Sequence, residues 1–157
     1  MRSSRINIAA YLMALIIVGD QLSKWWVLNE LAHPMRGMAV TPFLNLILVW
    51  NKGVTFGLLN RVGHGMVPWI LIGAALVILL LLSRWLWRTT SMAVAVGLGG
   101  IMGGAIGNVI DRLRYGAVVD FLDFHYRGYH WYAFNIADAA IVAGIGLLML
   151  DSLVRGR

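Results

Sequence analysis

The chain has no cysteine. Disulfides, thiolate metal sites, iron–sulfur clusters and a cysteine nucleophile are therefore excluded. It is also poor in charge: 13% of its 157 residues are Asp, Glu, Lys or Arg, where soluble domains carry ~25%. Thirteen basic and seven acidic side chains cannot cover a chain that is 60% hydrophobic, and the mean hydropathy is +0.77. This argues against a soluble globular enzyme, and more strongly against a disordered or nucleic-acid-binding chain. In so apolar a chain the net charge of +6 points first to anionic lipid and membrane topology.

Four apolar stretches reach the ~20 residues that a membrane-spanning helix needs. They lie at about 6–27, 66–87, 92–113 and 135–154 and predict four spans in one integral membrane domain, 1–157. The first, preceded by Arg2 and Arg5, has no small-residue cleavage site after its apolar core and reads as an uncleaved signal-anchor. Between the first two spans, the short apolar run Phe43–Trp50 is bracketed by Pro42 and Asn51-Lys52-Gly53. That punctuation suits extended strands. The second long loop, 114–132, holds Tyr115, Phe121, Phe124, Tyr126, Tyr129 and Trp131, a composition suited to the membrane interface.

Four spans put both termini on one side. Arg2, Arg5, Arg84, Arg88, Arg155 and Arg157 fall there with only Asp151, a net of +5. The other side holds seven basic residues, including Arg36 and Arg61, and six acidic ones, a net of +1. The raw basic counts do not separate the sides. The first side, however, concentrates its arginines in short segments at helix ends, where the positive-inside rule has force. The termini are expected in the cytoplasm. In the third span, Gly99, Gly100, Gly103, Gly104 and Gly107 recur at spacings that let helix backbones approach closely in lipid. A dinucleotide loop is excluded, because Met102 stands where a glycine is required and no strand precedes.

An ionisable group inside a span is costly and is a functional hypothesis by default. Asp20, the group Asn108, Asp111 and Arg112, and Asp138 all fall near one end of their helices. Asp120 follows in the adjoining loop. Two carboxylates sharing a site cannot both ionise readily, so one keeps a proton while the other activates a water. Asp120 and Asp138, each flanked by apolar residues, are the natural pair for such aspartic proteolysis. A plainer reading pairs Asp20 with Lys24 one helical turn away, and pairs Asp111 with a neighbouring cation. A Ser23–Lys24 dyad is disfavoured, since adjacent helix residues point ~100° apart. His125 and His130 with Asp123 match no zinc signature, no metal site is expected, and no HExxH is present.

Five segments in order resemble lipoprotein signal peptidase, the signal peptidase II family of aspartyl membrane peptidases. They are Asp20-Gln21-Leu22-Ser23-Lys24, Asn51-Lys52-Gly53-Val54-Thr55-Phe56-Gly57, Gly107-Asn108-Val109-Ile110-Asp111-Arg112, Val118-Val119-Asp120-Phe121 and Phe134-Asn135-Ile136-Ala137-Asp138. Val54-Thr55 departs from the small residues frequent there. The resemblance covers essentially the whole chain and implies an all-α membrane protein of four transmembrane helices. A small extracytoplasmic β-sheet would come from the first loop and an interfacial half-helix from the second. It implies Asp120 and Asp138 as the catalytic dyad, with Asp20, Lys24, Asn51, Asn108, Arg112 and Asn135 shaping the site and holding substrate; Asp111 joins this supporting set. The implied substrate is a diacylglyceryl-modified bacterial prolipoprotein, cut just before the lipidated cysteine in the bacterial inner membrane; no cofactor is expected, and the chain itself is expected to be a monomer. A small ion-coupled transporter would use the same acids as a relay, but these cluster at one end and trace no path through the bilayer. A structural membrane subunit would leave their convergence unexplained.

Overall fold

The computed structural model describes residues 2–32, 37–53 and 65–155. The apolar stretches form four helices: α1 (Arg2–Leu31), α2 (Val67–Arg88), α3 (Met92–Tyr115) and α4 (Ile136–Val154). All four are long and apolar enough to cross a bilayer. Their outward faces are apolar: Leu76, Val77, Ile78, Leu80 and Leu81 of α2 are all exposed. An exposed apolar helix face with polar groups buried inside is the pattern of a lipid-solvated bundle. The chain is a multi-pass membrane protein.

α3 is the central helix and packs on the other three. Its glycines make this possible on two faces. A Cβ added at Gly99 or Gly103 would meet the backbone oxygens of Ala9 and Met13 of α1 at 2.8 and 3.0 Å. One added at Gly100 or Gly104 would meet the Ala140 and Ala137 carbonyls of α4. The glycine spacing is therefore a packing device, as the sequence predicts.

The helix ends show how the bundle is threaded. At one end Arg2 lies over the Trp87 ring at 5.1 Å, and the Ser91 hydroxyl, which caps α3, donates to Asp151 of α4. Near this end Ala9, Leu86, Val94, Ala95, Leu98 and Met102 form an apolar cluster. At the other end Val27, Leu31 and Phe121 form a second cluster. Along α1 and α3 the buried polar residues Asp20, Lys24, Asn108 and Asp111 lie between the two.

The expected strands of the first loop are present as β1 (Met38–Thr41) and β2 (Leu44–Asn51). The second loop differs from the expectation. It carries no half-helix; it forms β3 (Val118–Tyr126) and β4 (Tyr129–His130), completing an antiparallel sheet of order β1-β2-β3-β4. The reason lies in its composition: β-branched and aromatic residues favour a pleated surface, and β2 offers a long edge to pair with. The break from α3 is made at Gly116, whose φ of +70° ends the helix in a left-handed turn that glycine adopts without strain. β3 then starts buried on both sides, with Val118, Val119, Asp120 and Phe121 all enclosed. Further along, burial pushes the Asp123 carboxyl up, but hydrogen bonds from Asn45 and His130 outweigh it and hold it below the usual carboxylate range.

Candidate active site

Asp120, near the start of β3, and Asp138, in the first turn of α4, are each placed by backbone structure. The β2–β3 register sets Val49 opposite Asp120 and Asn51 opposite Val118. The Asn51 amide donates to Asp120 Oδ2 at 2.9 Å, and the Asn135 amide donates to Asp120 Oδ1 at 2.7 Å. Both oxygens of a carboxyl that is only 1% exposed are thus engaged.

Asp138 belongs to a capping box. Asn135 Oδ1 accepts from the Asp138 N–H at 2.9 Å, and Asp138 Oδ2 accepts from the Asn135 N–H at 3.4 Å. This reciprocal arrangement satisfies two helix-end donors. The other oxygen, Oδ1, takes the Asn108 amide at 2.7 Å. Asn135 is consequently the shared element: its side-chain amide holds Asp120, its backbone holds Asp138, and it also reaches Asn108 Oδ1 at 3.2 Å.

The two acids feel each other. Burial raises the Asp120 pKa to about 6; the Asn51 and Asn135 hydrogen bonds oppose the rise, and the charge of Asp138 adds to it. A carboxyl with that value exchanges its proton near neutral pH, which general acid–base chemistry requires. Beside it lies a cavity of ≈ 550 Å³ lined by Val49, Trp50, Asn51, Lys52, Asp120 and Tyr132. Its size is in the range of ligand-binding clefts.

Asp20, Lys24 and Asp111 form a buried ionic triad. Lys24 Nζ lies 2.8 Å from Asp20 Oδ2 and 2.8 Å from Asp111 Oδ2, with Asn108 Oδ1 at 3.3 Å. The plainer pairing with Lys24 is therefore realised for both acids. The triad also reaches the chain beside the dyad. Asp20 Oδ1 accepts the Ala137 N–H at 3.0 Å, and Asp111 Oδ2 accepts the Val119 N–H at 3.0 Å. Each gripped amide belongs to the residue immediately before one of the paired acids.

Two positions differ from their expected prominence. Arg112 donates from Nη1 to the Asn108 carbonyl at 3.2 Å rather than to a carboxylate. Gln21, not among the expected site residues, donates from Nε2 to Asp111 Oδ1 at 2.9 Å and to Asp20 Oδ2 at 3.2 Å, while Arg114 donates to its Oε1. Its signal was a second polar side chain beside Asp20 within a span. The Ser23 hydroxyl donates to the Asp20 carbonyl, so it is turned away from nucleophilic use by Lys24. Val54, Thr55, Phe56 and Gly57, part of the second matching segment, and Arg36, Arg61 and Arg157 of the charge count lie outside the described residues.

Four spanning helices, a sheet at one end and two carboxyls clamped by amides define a polytopic membrane protein with an acid cluster at one end of its bundle. Residues 12–154 match the family model for signal peptidase (SPase) II, and the chain belongs to that family. It is 46% identical over 142 residues to a lipoprotein signal peptidase of Beijerinckia indica, covering 88% of this chain and 83% of the relative. It is 48% identical over 148 residues to one of Burkholderia mallei, covering 91% and 86%. A solved bacterial membrane enzyme structure superposes with a TM-score of 0.77 at 28% identity, covering 92% of each chain.

Proposed function

We propose that this chain is an aspartyl endopeptidase that removes the signal peptide from diacylglyceryl-modified prolipoproteins, cutting just before the lipidated cysteine. Asp120 and Asp138 are its catalytic residues. The observation that carries this reading is the pair itself: two carboxyls, each held at both oxygens by amide donors, and one tuned to about 6. With one proton on the pair, the ionised acid takes a proton from water as its oxygen attacks the scissile carbonyl. The protonated acid gives its proton to the carbonyl oxygen. Collapse of the tetrahedral intermediate then breaks the C–N bond, and the proton taken from water passes to the leaving amine of the cysteine.

Asn51, Asn108 and Asn135 hold the acids, and Asp20, Lys24 and Asp111 fix the chain beside them. Arg112 completes the supporting set, within electrostatic reach of Asp138, Asp111 and Asp120. The ≈ 550 Å³ cavity over Asp120 receives the peptide, while the acyl chains remain in the bilayer. The chain acts without a cofactor and as a monomer, in one domain spanning 1–157. The arginine-rich helix ends support cytoplasmic termini in the bacterial inner membrane, with the acids near the outer leaflet. A purified diacylglyceryl precursor is expected to be shortened on a gel, and its unlipidated form to be left intact. Equal cleavage of the two forms would contradict the lipid-dependent reading.

A further inference from the structure

At the end of the bundle opposite the acids, a cavity of ≈ 420 Å³ opens between the α2–α3 connection and the C-terminal turns of α4. Arg88, Thr89, Thr90, Ser91 and Arg155 line it, with Trp85 and Leu148 among its apolar residues; Arg155 Nη2 donates to the Ser91 hydroxyl at 3.0 Å. The charges are not balanced. Asp151 is already occupied, accepting from Arg155 Nε at 2.8 Å and from the Ser91 hydroxyl at 3.0 Å. Arg88 has no hydrogen bond or ion pair among the described residues. Arg5 donates from Nη1 to the carbonyl of Thr90, one of the lining residues, at 2.6 Å, and its buried Nε has no acceptor among the described residues.

We propose that this cavity binds the headgroup of an anionic phospholipid. The phosphate would lie against Arg88 and the Thr89 and Thr90 hydroxyls, and the glycerol and first methylenes against Trp85 and Leu148. Basic pockets between transmembrane helices at the membrane surface bind such headgroups, each cation contributing about 1 kcal/mol, or about fivefold. The apolar wall favours a lipid over a free anion, because inorganic phosphate would gain nothing from Trp85 or Leu148. The site lies far from Asp120 and Asp138 and is independent of the peptidase reading.

The test is native mass spectrometry of the full chain released from micelles containing equal amounts of phosphatidylglycerol and phosphatidylcholine of identical acyl chains. The native chain is expected to retain phosphatidylglycerol preferentially. Arg88→Gln is expected to lower that preference about fivefold, while Arg84→Gln, outside the cavity, leaves it unchanged. Thermal unfolding in detergent should be the same in native and Arg88→Gln chains, which shows that the variant is folded. No preference in the native chain, or the same preference in Arg88→Gln, overturns the proposal. Displacement of the lipid by equimolar inorganic phosphate overturns the lipid assignment.

Discussion

Lys24 pairs with two buried acids at once, with its amine at 2.8 Å from each. Removing one partner from a buried ion pair costs about 3–5 kcal/mol, because the remaining charge is left uncompensated. Lys24→Met is therefore expected to lower unfolding stability in detergent by at least that much, and a change below about 1 kcal/mol would contradict the triad's role. Asn51 makes a separate prediction. Its amide favours the ionised form of Asp120, so its loss leaves burial and the charge of Asp138 less opposed. In Asn51→Ala the limb of the pH–rate profile governed by Asp120, near 6 in the native chain, should move to higher pH. A limb that stays in place or moves down would contradict the hydrogen bond's role. Asp20, Asp111, Asp120 and Asp138 were legible as sequence because acids are so scarce in this chain. Their division of labour was not. Which acids meet Lys24 depends on α1 and α3 lying face to face, and no local pattern encodes that distance.

Among the elements, α3 tolerates the least change. A Cβ at Gly104 would strike the Ala137 carbonyl and come within 2.8 Å of Ile141, so α4 must move, and Asp138 lies one residue after Ala137. Gly104→Ala is expected to cost about 1–3 kcal/mol by overpacking and to reduce cleavage. Gly73→Ala, on α2 with nothing within 4 Å, should leave cleavage unchanged and stability the same or up to about 1 kcal/mol higher. Thermal unfolding and precursor cleavage of the two variants check this, and equal behaviour would contradict the packing account. The helices were readable from length and hydropathy, and the strands of the first loop from their Pro and Gly punctuation. β3 is not legible in the sequence, because both sides of its first four residues are buried. It therefore lacks the alternation that marks a half-buried strand, and its partner β2 lies about 70 residues earlier in the chain.

For the whole molecule, charge is distributed by end. The short connections at the Arg5–Arg88–Arg155 end carry the excess of arginine, and the acids gather at the other. A C-terminal fluorescent reporter that matures only in the cytoplasm is expected to be bright, and a dark reporter would reverse the proposed orientation. The general plan, four spans with acids converging at one depth, could be read from composition and spacing. The amide clamp around the acids could not, since it joins β2, β3, α3 and α4 through contacts far apart in sequence.

The central claim is that Asp120 and Asp138 perform the cleavage together. Its most direct test measures cleavage of a purified diacylglyceryl precursor by the native chain, Asp120→Asn and Asp138→Asn, with folding of each verified by thermal unfolding. The account predicts that both variants fold and that each loses about two to four orders of magnitude in rate, the contribution of a positioned acid or base. Substantial cleavage by either folded variant would contradict it.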